Sequence, residues 1–168
     1  MSTFPSRAAT MELHGPTSDS FELRIIGYHS AQEVDDVRET NRLRIYTRAT
    51  LGGQVWTTIH PALLTWEILD LADWLDSISV ATPLKPELTF NLPNLWLEVQ
   101  SWSEERVRFR VYFEREHRPP WLETTGVAGE AWADLECSPQ ELNEWSNDLR
   151  QQITKFPPRG RAAAHRGL

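Results

Sequence analysis

The chain has 168 residues, 40% of them hydrophobic and 24% charged, with a formal net charge of −7. That length and balance fit one globular domain with its own core and exclude a disordered chain. The negative sum argues against a general nucleic-acid binder. The single cysteine, Cys137, excludes an internal disulfide or a cysteine-rich zinc site.

Residues 1–10 carry no periodicity and read as a flexible extension, with both Met1 and Met11 open as the native start. Met1–Arg7 lacks the apolar run of a signal peptide, and no stretch approaches the roughly 18 apolar residues of a membrane span. With one cysteine, this points to the reducing cytoplasm. The body, residues 11–159, is read as a single domain, and 160–168 as a disordered basic tail.

Alternation with period two dominates the body. Phe21, Leu23 and Ile25 oppose Glu22 and Arg24. Leu43, Ile45 and Thr47 oppose Arg42, Arg44, Tyr46 and Arg48. Gly52-Gly53 reads as a hairpin turn into a strand whose inward side is Val55, Thr57 and Ile59. A helical period follows in Leu64, Ile68, Leu71, Leu75 and Ile78. Then Leu95, Leu97 and Val99 oppose Trp96, Glu98, Gln100 and Trp102. Val107, Phe109, Val111 and Phe113 oppose Arg106, Arg108, Arg110 and Tyr112, and Arg118-Pro119-Pro120-Trp121 stops that strand. A last strand runs near Val127–Glu136. The second helix carries Leu142, Trp145, Leu149, Ile153 and Phe156 on one face. Ser138, Pro139 and Glu141 mark its start, and Pro157-Pro158 its end. The expected fold class is α+β. It has a mainly antiparallel sheet of about eight strands, curved or sandwich-like, and two amphipathic helices near 62–79 and 139–156.

The motifs name no enzyme, cofactor or metal. There is no glycine-rich phosphate loop and no His-Glu-x-x-His, and the five histidines are scattered. Cys137 precedes a helix start, which can lower a thiol pKa. The plainer reading is a small residue at a strand end.

Two surface patterns stand out. One is acidic: Glu141, Glu144 and Asp148 fall on one side of the second helix, and Asp70, Asp73 and Asp76 avoid the apolar stripe of the first. Trp66 lies about 160° from the centre of that stripe. The plain reading is a solvated face; the functional one is an acidic patch, anchored by Trp66, for a basic partner. The other pattern is the polar side of the strands, where Tyr46, Trp56, Trp96, Trp102, Tyr112 and Trp132 share rows with Arg44, Arg48, Arg108 and Arg110. It reads as a second covered face, or as a binding face built on Arg48, Trp96 and Arg110.

Several short motifs resemble the WapI-type immunity proteins of bacteria. They are Met11-Glu12-Leu13-His14-Gly15; Leu63-Leu64-Thr65-Trp66-Glu67-Ile68 with Leu71, Trp74 and Leu75; Leu88-Thr89-Phe90; Pro93-Asn94-Leu95; Pro119-Pro120-Trp121; and Phe156-Pro157-Pro158-Arg159. The resemblance covers about residues 11–159. It implies a non-enzymatic protein that binds and neutralises a cognate secreted polymorphic toxin in the producing bacterium. It supplies no catalytic residues. An acidic inhibitor would suit a toxin with a basic cleft, such as a nuclease. The rival is a nucleic-acid-binding or other regulatory module that uses the arginine and aromatic face. Monomer and homodimer both remain open.

Overall fold

A computed structural model describes residues 12–123 and 131–160. Among these residues the fold is α+β as expected, with eight strands in two antiparallel four-stranded sheets. The first sheet is β1 (Glu12–His14), β2 (Ser20–Tyr28), β3 (Arg42–Leu51) and β4 (Gln54–Leu64), in that order. The second is β5 (Glu87–Leu88), β6 (Leu95–Trp102), β7 (Val107–Phe113) and β8 (Ala131–Cys137), also in chain order. A short helix α1 (Val37–Asn41) precedes β3, and α2 (Thr65–Val80) connects the sheets. A 3-10 turn (Arg115–His117) and α3 (Pro120–Glu123) come after β7, and α4 (Pro139–Ile153) comes after β8.

The register of the β3–β4 hairpin corrects the inward side expected for β4. Gly52 and Gly53 have φ of 55° and 82°, the left-handed pair that a two-residue turn requires. The turn sets Leu51 opposite Gln54, and therefore Ala49 opposite Trp56. Opposite residues share a face, so Trp56 goes into the core at 5% exposure while Val55 and Ile59 face out. A register shift beside Leu43 then resets the phase, and Ala62, Leu63 and Leu64 are buried. Because Leu64 still pairs with Arg42, helix α2 starts at Thr65 and not at 62. The Glu67 carboxylate accepts from the Leu64 amide at that start (2.8 Å), one arm of a capping box.

A second irregularity moves Trp102. Between Val99 and Ser101 the β6–β7 register slips by one residue, which reverses the facing of the later residues in the strand. Trp102 therefore leaves the row of Trp96 and Glu98, and its indole donates to the Ile78 carbonyl at the end of α2 (2.8 Å). In β7 the alternation matches the sequence pattern, with Val107, Phe109 and Val111 buried and Arg108 exposed on the other side.

Helices α2 and α4 pack on each other and cover the inner faces of both sheets. They run antiparallel: Arg150 reaches Asp73 and Asp76, while Ser79 bonds Asn143 nearer the start of α4. Trp145 of α4, 1% exposed, stacks on Phe109 of the second sheet and meets Phe21 of the first edge-on, both at 6.2 Å. The sheets also meet directly where β1 adjoins β8. There a Cβ on Gly15 would stand 1.9 Å from the Asp134 carbonyl oxygen, so only glycine fits.

Helix α4 starts where expected, with Ser138 accepting from the Glu141 amide (3.2 Å), but it ends at Ile153. Phe156 to Arg159 then lie as a strap across the end of β2. Tyr28 donates to the Pro157 carbonyl, Phe156 packs edge-on against its ring, and the Arg159 guanidinium sits 3.3 Å above it. The strand expected near 127–136 is seen from Ala131, and the rest of that span lies outside the described residues, as does residue 11. Among the described residues no helix is long and apolar enough to cross a membrane.

Candidate binding faces

The helix face and the outer sheet face lie on opposite sides of the fold, since α2 and α4 cover the inner sides of the strands. On the helix face the acids are unequal. Glu141, Glu144, Asp70 and Asp73 are exposed, whereas Asp148 and Trp66 are half-buried. Arg150 bridges Asp73 (2.7 Å) and Asp76 (2.8 Å) and offsets part of their charge. Asp148 accepts from the Gln152 amide (2.8 Å). That amide in turn accepts from the Ile25 N–H (2.8 Å) and donates to the Leu23 carbonyl (3.3 Å), covering part of the edge of β2 that β1 leaves unpaired. Asp148 therefore helps to close a sheet edge. Trp66 lies in the first turn of α2 and Glu141 in the first turn of the antiparallel α4. The two are separated by most of the helix pair, about 20 Å, and do not form one patch.

The outer faces divide the second set of residues. Arg48 stands on β3 in the first sheet, beside Thr57 and Glu22 in register. Trp96 and Arg110 stand on β6 and β7 in the second. Arg48 thus does not join the other two, because α2 separates the strands into two sheets. What the second sheet does assemble is a transverse aromatic row, Trp96–Tyr112–Trp132, aligned by cross-strand pairing. Trp96 and Tyr112 stack face to face at 3.7 Å with 1° between planes. Trp132 tilts against Tyr112 at 6.1 Å. Tyr112 is 8% exposed, while both indoles remain partly open to solvent.

Polar groups order this row. Arg110 bonds Asp134 (2.7 Å) and lies 4.9 Å from the centre of the Trp132 ring. The Tyr112 hydroxyl donates to Glu98 (3.3 Å), and the Trp96 indole donates to Glu114 (3.3 Å). The result is a pre-ordered aromatic platform whose arginine is already neutralised and whose edges carry carboxylates. Rigid indoles on a polar surface suit a protein contact, where little side-chain entropy is lost on binding. Beyond Trp96 a cavity of about 290 Å³ opens, lined by Glu87, Phe90, Pro93 and Glu114 among others. Its residues come from the two motifs at 88–90 and 93–95, from Glu87 and Trp96 beside them, and from Glu114 just after β7. Their convergence was not readable from spacing, although those motifs flank it.

Other chemically promising residues are closed off. His60 and His117, distant in sequence, bring their rings to 5.9 Å. His117 is fully buried, and its Nδ1 lies 3.0 Å from the Thr58 hydroxyl and 3.3 Å from that of Thr47. Burial, with His60 nearby, lowers its pKa to about 4, so it is neutral at pH 7. Burial pushes the Cys137 thiol up to about 12. The helix start beside it does not activate it, in keeping with the plainer reading of a small residue at a strand end. Glu67 is also raised by burial, and it spends both oxygens on the Leu64 and Asn91 amides. Among the described residues no group of three or more His, Cys, Asp or Glu side chains is placed to hold a metal ion.

A search of curated proteins finds no match to this chain. The model of the immunity protein WapI-like family matches residues 12–157, which span both sheets, the connecting helix and the start of the C-terminal strap. This chain belongs to the immunity protein WapI-like family.

Proposed function

We propose that the chain neutralises a toxin protein by stoichiometric binding, and that the outer face of the second sheet makes the contact. The toxin would be a secreted polymorphic toxin of the producing bacterium, met by its inhibitor in the cytoplasm. Membership of the family supports an immunity role. The observation that carries the choice of face is the Trp96–Tyr112–Trp132 row, which leaves two indoles partly exposed on an ordered sheet. The pairing of Arg110 with Asp134 and the carboxylates of Glu98 and Glu114 beside the row favour a protein over a nucleic acid, because carboxylates at the aromatic row would repel phosphates. The charge of −7 suits a basic toxin such as a nuclease, which an acidic inhibitor would meet rapidly and occlude.

The helix face is the second reading, favoured by the exposure of Glu141, Glu144 and Asp70. The test is protection of a bacterial host that expresses the neighbouring toxin gene. Growth should survive only while inhibitor equals or exceeds toxin, and Trp132→Ala should shift the required ratio upward while Glu144→Lys should not. Protection at substoichiometric amounts would refute binding as the mechanism. The reverse pattern of variants would move the contact to the helices.

A further inference from the structure

We propose that the cavity beside Trp96 is a socket for one arginine side chain of the bound protein. This rests on the sheet face being the toxin contact. One face of the Trp96 indole is covered by Tyr112, which comes from β7. Trp96 lines the cavity together with Glu87, Thr89 and Phe90, from β5 and the segment after it on the other flank of β6, and we infer that the indole face turned away from Tyr112 is its wall. Phe90 and Pro93 complete an apolar lining, and Glu87 and Glu114, both exposed, stand at its rim. Among the described residues no lysine or arginine lines the cavity to neutralise those carboxylates.

Size and charge select the occupant. About 290 Å³ lies just under the usual small-molecule range of about 300–1,000 Å³ and suits one long side chain. A guanidinium stacks flat on an indole and donates in the plane to carboxylates at its edge. Lysine, a point charge, satisfies only part of that arrangement. A phosphate or a carboxylate would be repelled by Glu87 and Glu114. Since Glu114 already accepts from the indole N–H (3.3 Å), the wall and the anion are held in register before the partner arrives.

The test uses the full chain and N-acetyl-arginine amide as the probe, with N-acetyl-citrulline amide as the uncharged isostere. Indole N–H resonances are followed by NMR, and Trp96 is assigned by Trp96→Phe. Arginine should shift the Trp96 signal saturably and citrulline should bind about tenfold more weakly or worse. Glu87→Gln with Glu114→Gln should weaken arginine binding by a similar factor while leaving the other indole signals in place. Equal responses to both probes, or an unaffected double variant, would overturn the socket. The cognate toxin separates this claim from the one beneath it. Loss of toxin affinity in the double variant supports both. Full toxin affinity in that variant refutes the socket and leaves the immunity reading standing. Arginine binding at Trp96 without any toxin binding refutes the immunity reading and leaves the socket standing.

Discussion

Trp145 is one of the residues that join the two sheets in one core, beside the direct contacts of Phe21 and Trp56 with Phe113, and its truncation should show this quantitatively. The indole is 1% exposed and touches Phe21 of the first sheet and Phe109 of the second. A tryptophan buries about 200 Å² of side chain. At about 25 cal/mol per Å² that is about 5 kcal/mol of transfer free energy. Alanine retains a small part of it, and two aromatic contacts add about 0.5–1.5 kcal/mol each. These terms sum to about 5–7 kcal/mol, an upper bound because the unfolded chain already buries part of that area, so Trp145→Ala should cost about 4–5 kcal/mol, the upper part of the range for large core truncations. For a chain of this length the melting temperature should fall roughly 8–20 °C. Urea unfolding tracked by circular dichroism measures both the loss and its cooperativity. Double-mutant cycles with Phe21→Leu and with Phe109→Leu should each give coupling near 1 kcal/mol. A cost under about 1.5 kcal/mol would refute the argument. So would coupling to one phenylalanine and not the other, since Trp145 would then not join the sheets.

Other substitutions probe separate parts of the structure. His117 has a folded-state pKa of about 4, below the ordinary 6.5, so the unfolded chain binds the extra proton and stability falls as pH drops from about 6.5 towards 4. Between pH 7 and pH 5 this residue should account for about 2 kcal/mol of lost stability. His117→Gln should flatten that part of the urea-derived pH profile, and an unchanged profile would count against a buried neutral imidazole. Gly15→Ala should cost about 1–3 kcal/mol by thermal melting, because its Cβ would collide with the Asp134 carbonyl. A neutral result would mean that the β1–β8 seam is loose. Arg150→Ala removes two ion pairs whose members are 37–70% exposed and should cost under about 1 kcal/mol. A chain trimmed to residues 11–159 should melt within a few degrees of the full chain, checked by calorimetry.

The features legible in the sequence were those with a local cause. The alternation in β7, the apolar stripes of the two long helices and the start of the second arise within a few residues, and Phe109, Arg108 and Ser138 stand where their neighbours imply. Features set by a partner strand were not legible. The facing of Trp56 depends on the pairing of Leu51 with Gln54, and the departure of Trp102 on one extra residue in β6. Period-two patterns cannot reveal such phase changes, because a single insertion reverses every later side chain. The division into two sheets depends on where α2 sends the chain, and it separated Arg48 from Trp96 and Arg110. The acidic helix residues do lie off the apolar stripe, as their spacing implies. Their ties to Arg150 and Gln152 are tertiary and left no trace in spacing.

The central claim is that the outer face of the second sheet holds the toxin, and isothermal titration of the cognate toxin domain tests it most directly. One inhibitor should bind per toxin, with affinity lowered roughly 30-fold or more by Trp132→Ala, the loss of about 2 kcal/mol that marks a hot spot. Glu141→Lys with Glu144→Lys on the helix face should leave the affinity within a few-fold. Unchanged affinity in Trp132→Ala and in Trp96→Ala, with a large loss in the helix variant, would contradict it.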